Sequence, residues 1–129
     1  MRERCSGQAK SILIVEDDAD VRGALTAVLE SEGYSVVEAA HGQEALQHLR
    51  ANAAGFCMIF LDLWMPVMNG WEFRAEQMKD PTLAEVPVIV VTADHVAAKS
   101  AADLAVVECL TKPIEMEHLL QQIGRYCSP

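Results

Sequence analysis

Five short apolar runs alternating with segments of helical periodicity predict an α/β fold, one parallel sheet covered by helices on both sides. The third run carries most of that prediction. Phe56-Cys57-Met58-Ile59-Phe60-Leu61 leads straight into Asp62, between Gly55 and Pro66. So short a run of apolar residues reads as a strand buried on both faces. Other runs also end on polar side chains: Glu16-Asp17-Asp18 after the first, Thr92 on the fourth and Lys112 after the fifth. Parallel strands would bring these ends to one edge, where open α/β sheets hold their ligands.

Taken in order, Ser11–Val15 is a β-branched run and the first strand. Val21, Ala24, Leu25, Val28 and Leu29 then recur at the spacing of an amphipathic helix, which Asp18 or Asp20 caps and Gly33 ends. Residues 34–39 form a second strand, and 41–52 a second helix with Ala45, Leu46 and Leu49 inward. After the Asp62 strand, Asn69-Gly70 makes a turn, and a less regular helix over 71–79 stops at Asp80-Pro81. Residues 86–92 form the fourth strand, with Pro87 near its start, where a strand tolerates it. An alanine-rich helix over 95–104, a fifth strand over 105–111 and a final helix with Met116, Leu119, Leu120 and Ile123 on one face complete the pattern. Residues 1–10 read as an N-terminal extension and 11–127 as a single domain.

Composition narrows the function. With 129 residues, 51% of them hydrophobic, the chain can bury a real core. A net charge of −9 argues against direct nucleic-acid binding, which needs a basic face. No stretch approaches the roughly 20 apolar residues of a membrane span, and the charged start lacks the apolar core of a signal peptide. A cytoplasmic address is expected, with no membrane partner. Cys5, Cys57, Cys109 and Cys127 share no C-x-x-C spacing and are expected to be reduced thiols, buried or at frayed ends. His41, His48, His95 and His118 share no metal spacing and are expected in solvent.

The strand ends carry the chemistry. Clustered carboxylates repel unless some pKa values rise or a cation sits among them. Oxygen-only ligands favour a hard ion; Mg²⁺ takes one or two carboxylates, keeps waters and awaits a phosphate. Lys112 and the Thr92 hydroxyl would suit the oxygens of an incoming phosphoryl group. Together these groups imply a metal-assisted phosphoryl acceptor with Asp62 as nucleophile.

Four segments then resemble one family in order: Ile12-Leu13-Ile14-Val15-Glu16-Asp17-Asp18, Leu61-Asp62-Leu63-Trp64-Met65-Pro66-Val67-Met68-Asn69-Gly70, Val90-Val91-Thr92-Ala93 and Leu110-Thr111-Lys112-Pro113-Ile114. They are similar to the receiver (CheY-like) domain of two-component response regulators, over about residues 11–126. The resemblance implies a flavodoxin-like (βα)5 sandwich with strand order 2-1-3-4-5, the order of chemotaxis receivers. It implies phosphorylation on Asp62, and Mg²⁺ (with Mn²⁺ as an alternative) held by Asp17, Asp62, the Trp64 carbonyl and, through water, Glu16. Lys112 would pair with a phosphoryl oxygen, Thr92 would act as the switch, and the Lys112-Pro113 bond would be cis. The implied donor is a sensor histidine kinase or histidine phosphotransfer protein, and the implied output a protein partner. Such a domain catalyses its own phosphorylation and dephosphorylation and is not an enzyme acting on a separate substrate.

The chain departs from the family pattern at Cys109, where Tyr or Phe is usual, and at Trp64, which is bulky for its position. Without that aromatic, the readout of phosphorylation is expected to differ, and the Trp64 indole is expected over the pocket mouth. A haloacid-dehalogenase-type hydrolase would need a second acid where Trp64 stands. A flavodoxin-like nucleotide binder would be repelled by Glu16-Asp17-Asp18. The intact start and short tail favour a free-standing receiver over a piece of a longer regulator.

Overall fold

Burial on both faces sets the middle of the sheet. All seven residues of β3 (Phe56–Asp62) are buried, as are all five of β4 (Val88–Thr92). In β1 (Ser11–Val15) only the first residue is less than buried, whereas β2 (Ser35–Ala39) and β5 (Glu108–Thr111) are partly open, as edges must be. The computed structural model, which describes residues 10–100 and 106–128, joins these strands in one parallel sheet of order β2-β1-β3-β4-β5. The α/β class is the one the sequence pattern predicts, and the strand order the one the family resemblance implies.

Alternation along the strands divides the core in two. Leu13, Val15, Ile59, Leu61, Val88 and Val90 face α2 (Gly42–Asn52) and α3 (Gly70–Met78) through Leu46, Leu49 and Phe73. Ile12, Ile14, Met58, Phe60, Ile89 and Val91 face the other way, against Leu25 and Leu29 of α1 (Ala19–Ser31) and Leu119 and Ile123 of α6 (Met116–Gly124). A period of two in the strands thus feeds two helical layers.

Local chemistry fixes the helix starts. Asp18 caps α1, its side chain accepting from the backbone N–H groups of Asp20 and Val21. Gly33 ends that helix at φ 95°, a left-handed conformation that glycine adopts without steric cost. Asn69 is more than a turn residue: it caps α3 in a reciprocal box with Glu72, three positions on. Asp80-Pro81 ends one helix by starting another, because Asp80 caps the short α4 (Pro81–Ala84) with proline in its first turn. Buried Gln77 holds this corner by donating to the carbonyls of Leu83 and Val86.

Several expectations are corrected. β4 begins at Val88, after Pro87, and β5 begins at Glu108. The helix expected over 95–104 is α5 (His95–Ser100) among the described residues; 101–105, like Cys5, lie outside them. His41 is not simply solvated: its Nδ1 accepts from the Glu44 backbone N–H and caps α2. His118 lies 3.4 Å from Glu108. The largest correction is at the cysteines. Cys57 and Cys127 are not reduced thiols but a disulfide, with Cα atoms 5.4 Å apart. Cys109 is a free, half-buried thiol near the Ala98 carbonyl. Burial, and then the neighbouring Glu108 charge, push its pKa up.

Candidate functional site

The polar strand ends meet at the carboxyl edge of the sheet. Parallel pairing sets Val15 beside Leu61, Asp62 beside Val91, and Thr92 beside Thr111. Glu16 and Lys112 are the next residues after β1 and β5. Glu16 is 1% exposed and Asp62 6%, whereas Asp17 reaches solvent. Carboxylate oxygens of all three lie within 4.8 Å of one another.

Lys112 closes this group. Its Nζ donates to Glu16 Oε1 at 2.9 Å and to Asp62 Oδ2 at 3.4 Å. Burial works against the lysine charge, but the hydrogen bond to Glu16 and the charges of Asp62 and Glu16 outweigh it, so its pKa is raised. The other oxygens are placed by backbone: the Trp64 N–H donates to Asp62 Oδ1 and the Asp18 N–H to Glu16 Oε2, both at 3.2 Å. Asp17 has a raised pKa, mainly from burial, with the adjoining Glu16 carboxylate adding to the push. Among the described residues, Lys112 therefore pairs with two of three crowded carboxylates, Glu16 and Asp62. All-oxygen donors at this spacing fit a hard divalent ion held by Glu16, Asp17 and Asp62.

The remaining candidates surround this centre. Thr92 is fully buried, and its hydroxyl accepts from the Asp94 N–H at 3.2 Å. The Thr92 carbonyl accepts from the Lys112 N–H at 2.8 Å, tying the ends of β4 and β5 together. The Lys112-Pro113 peptide is cis. The half-exposed Trp64 indole packs edge-on against Trp71 in the first turn of α3, with ring centroids 4.8 Å apart. Gly70 lies under the end of β3, where a Cβ would stand 2.8 Å from the Asp62 carbonyl oxygen.

One supporting residue escaped the sequence reading. Arg22 donates through Nη1 to the Glu16 carbonyl at 2.7 Å and faces Glu38 at 3.6 Å, bracing the loop after β1. Its place one turn after the Asp18 cap was the available signal.

A parallel 2-1-3-4-5 sheet with an acidic pocket and a lysine at its carboxyl edge defines a CheY-like α/β domain. The chain belongs to the response regulator receiver domain family of two-component systems, which it matches over residues 12–124. It is 37% identical over 114 residues to the uncharacterized transcriptional regulatory protein YkoG of Bacillus subtilis, covering 87% of this chain and 48% of that protein. The chain thus spans about half the length of that relative. It is 32% identical over 118 residues to Protein PilH of Pseudomonas aeruginosa, covering 88% of this chain and 93% of that one. Among solved structures it resembles the receiver domain of a sensor histidine kinase from Pseudomonas aeruginosa, with TM-score 0.82, 25% identity, and 92% and 98% of the two chains covered. That structure has a magnesium ion coordinated in its active-site cleft.

Proposed function

We propose that Asp62 accepts a phosphoryl group from a phosphohistidine of a sensor histidine kinase or histidine phosphotransfer protein, and that the change controls a protein partner. The observation carrying this reading is the pairing of one lysine with Glu16 and Asp62 beside a third carboxylate, at the carboxyl edge of the sheet. An Asp62 oxygen attacks phosphorus, the P–N bond breaks, and the imidazole leaves with the electron pair and takes up a proton. Lys112, already 3.4 Å from Asp62, can follow the charge onto a phosphoryl oxygen. Glu16, Asp17, Asp62 and the Trp64 carbonyl would hold Mg²⁺, with Mn²⁺ as an alternative. The ion would neutralise charge on the transferring group.

Thr92 is the proposed switch. Exchanging the Asp94 N–H for a phosphoryl oxygen would move the β4 end and, through the Thr92 carbonyl bond to Lys112, the β5 end. Cys109 packs against α5 without a ring to swing, so the readout passes through backbone and α5 contacts. The reading makes the domain self-modifying, without a separate substrate or direct nucleic-acid contact, and places it in the cytoplasm.

Acetyl phosphate with Mg²⁺ tests the chemistry. One acid-labile phosphoryl group should appear on Asp62, and Asp62→Asn should abolish it while the far-ultraviolet spectrum stays unchanged. Phosphate recovered on serine or histidine would overturn the assignment.

A further inference from the structure

At the opposite edge of the sheet, Cys57 near the start of β3 is bonded to Cys127 beyond α6, 70 residues away. Cys57 stands where pairing with β1 is irregular: Ser11 is opposite Phe56, but Ile12 is opposite Met58. Both cysteines are buried in the core layer that contains Met58, Phe60, Leu119 and Ile123. The bond therefore ties the strand that carries Asp62 to the last helix. Among the described residues, the backbone N–H groups of Arg125, Tyr126 and Cys127 donate to Gln122 and Ile123 of α6 itself rather than to the sheet.

A cleft of about 360 Å³ lies beside this bond on the Cys57 side, with Cys57 and Tyr126, the neighbour of Cys127, in its lining. Lys10 and Glu85 line it as well, alongside apolar Phe56 and Pro87. The lining thus carries one basic and one acidic side chain, Lys10 and Glu85.

We propose that Cys57–Cys127 is a reversible redox site, opened by a dithiol through this cleft, and that opening it releases the end of α6 and residues 125–128 from β3. A thiolate of the dithiol attacks one sulfur, the S–S bond breaks, and its electron pair leaves on the other sulfur, which takes up a proton. The second thiol then displaces the mixed disulfide. Two electrons and two protons reach the cysteines, and the dithiol becomes a cyclic disulfide. A disulfide-class oxidant such as oxidised glutathione reverses the exchange. The site stands apart from Asp62 and holds whether or not Asp62 accepts phosphate.

The test labels cysteines with iodoacetamide before and after dithiothreitol, then after oxidised glutathione, with peptide mass spectrometry to locate the label. Cys57 and Cys127 should be protected, then labelled, then protected again. Reduction should lower Tm by roughly 10 °C, from the loss of a long cross-linked loop. It should speed hydrogen exchange over residues 120–126 while leaving 62–70 unchanged. Cys127→Ser should match the reduced protein and ignore dithiothreitol. Labelling of both cysteines in protein never exposed to reductant would overturn the proposal. So would protection that glutathione fails to restore, or a Tm and α6 exchange indifferent to reduction.

Discussion

At its amino end β3 presents Phe56 and Cys57, closed by a disulfide and apolar neighbours; at its carboxyl end it presents Asp62 among two carboxylates and a lysine. The first end is built for cohesion, since apolar burial stabilises at about 25 cal/mol per Å². The second keeps charges at close quarters, where desolvation opposes them and the pairing of Lys112 with Glu16 and Asp62 compensates. Backbone exceptions gather there too: Val67 lies at positive φ in the loop after β3, and Gly70, which opens α3, is pressed beneath Asp62. One strand thus separates a stabilising end from one arranged for ligand chemistry, and substitutions at the two ends should report different quantities.

Phe56 offers the largest separation. Phe56→Ala should cost about 3 kcal/mol of stability, by lost transfer energy and a residual cavity, yet leave the Mg²⁺ half-saturation point unchanged. Denaturant unfolding and a Mg²⁺ titration followed by tryptophan emission measure the two; a weakened Mg²⁺ response would show that the ends communicate. Metal binding gives the converse. At roughly 100 times its Kd, Mg²⁺ should stabilise the protein by about 2.7 kcal/mol. Asp17→Asn should lose that gain and leave the metal-free protein slightly more stable, by about 0.5 kcal/mol or less given the exposure of Asp17. The sign follows from the raised Asp17 pKa: the native state holds the proton more tightly than the unfolded chain, so stability falls as pH rises through this titration. A metal-free Asp17→Asn less stable than the parent would refute it.

These differences also explain what the sequence disclosed. β1, β3 and β4 were legible because residues buried on both faces leave uninterrupted apolar runs, and the acidic edge was legible because strand ends carry their polar residues in register. The Cys57–Cys127 bond was not, since spacing does not encode pairing between residues 70 apart. The four residues of α4 are too few to show a period, and Asp80-Pro81 reads equally as a stop or a start. The Asn69 box with Glu72 was readable from its three-residue spacing but was masked by the stronger turn signal of Asn69-Gly70.

Gly70 tests how tightly the chemical end is built. An added Cβ would meet the Asp62 carbonyl and the Leu63 Cα at 2.8 Å, both backbone atoms that cannot swing aside. Gly70→Ala should therefore cost about 2 kcal/mol and weaken Mg²⁺ binding in the same variant. Gly23→Ala is the control, because a Cβ on this α1 residue meets nothing within 4 Å and should stabilise by about 0.5 kcal/mol. Equal effects at the two glycines would dissolve the distinction between the chemical end of β3 and the scaffold.

A smaller effect than at Gly70 is expected at Val67, whose φ of 69° puts a β-branched side chain in the left-handed region. The side chain is 77% exposed, so it makes little packing contact to offset the strain. Asn tolerates this conformation better, and Val67→Asn should raise stability by about 1 kcal/mol, near 4 °C in Tm for a domain of this size. The gain matters less than what accompanies it. Val67 lies between Trp64, whose N–H holds Asp62 Oδ1, and Asn69, which caps α3, so relaxing its backbone shifts the loop that orients the carboxylate. If the strain serves the site, Val67→Asn should be more stable while taking up phosphate from acetyl phosphate more slowly. A variant that gains stability and keeps the parental rate would show the strain to be incidental, leaving Gly70 and the charge cluster as the features that set this end of β3 apart.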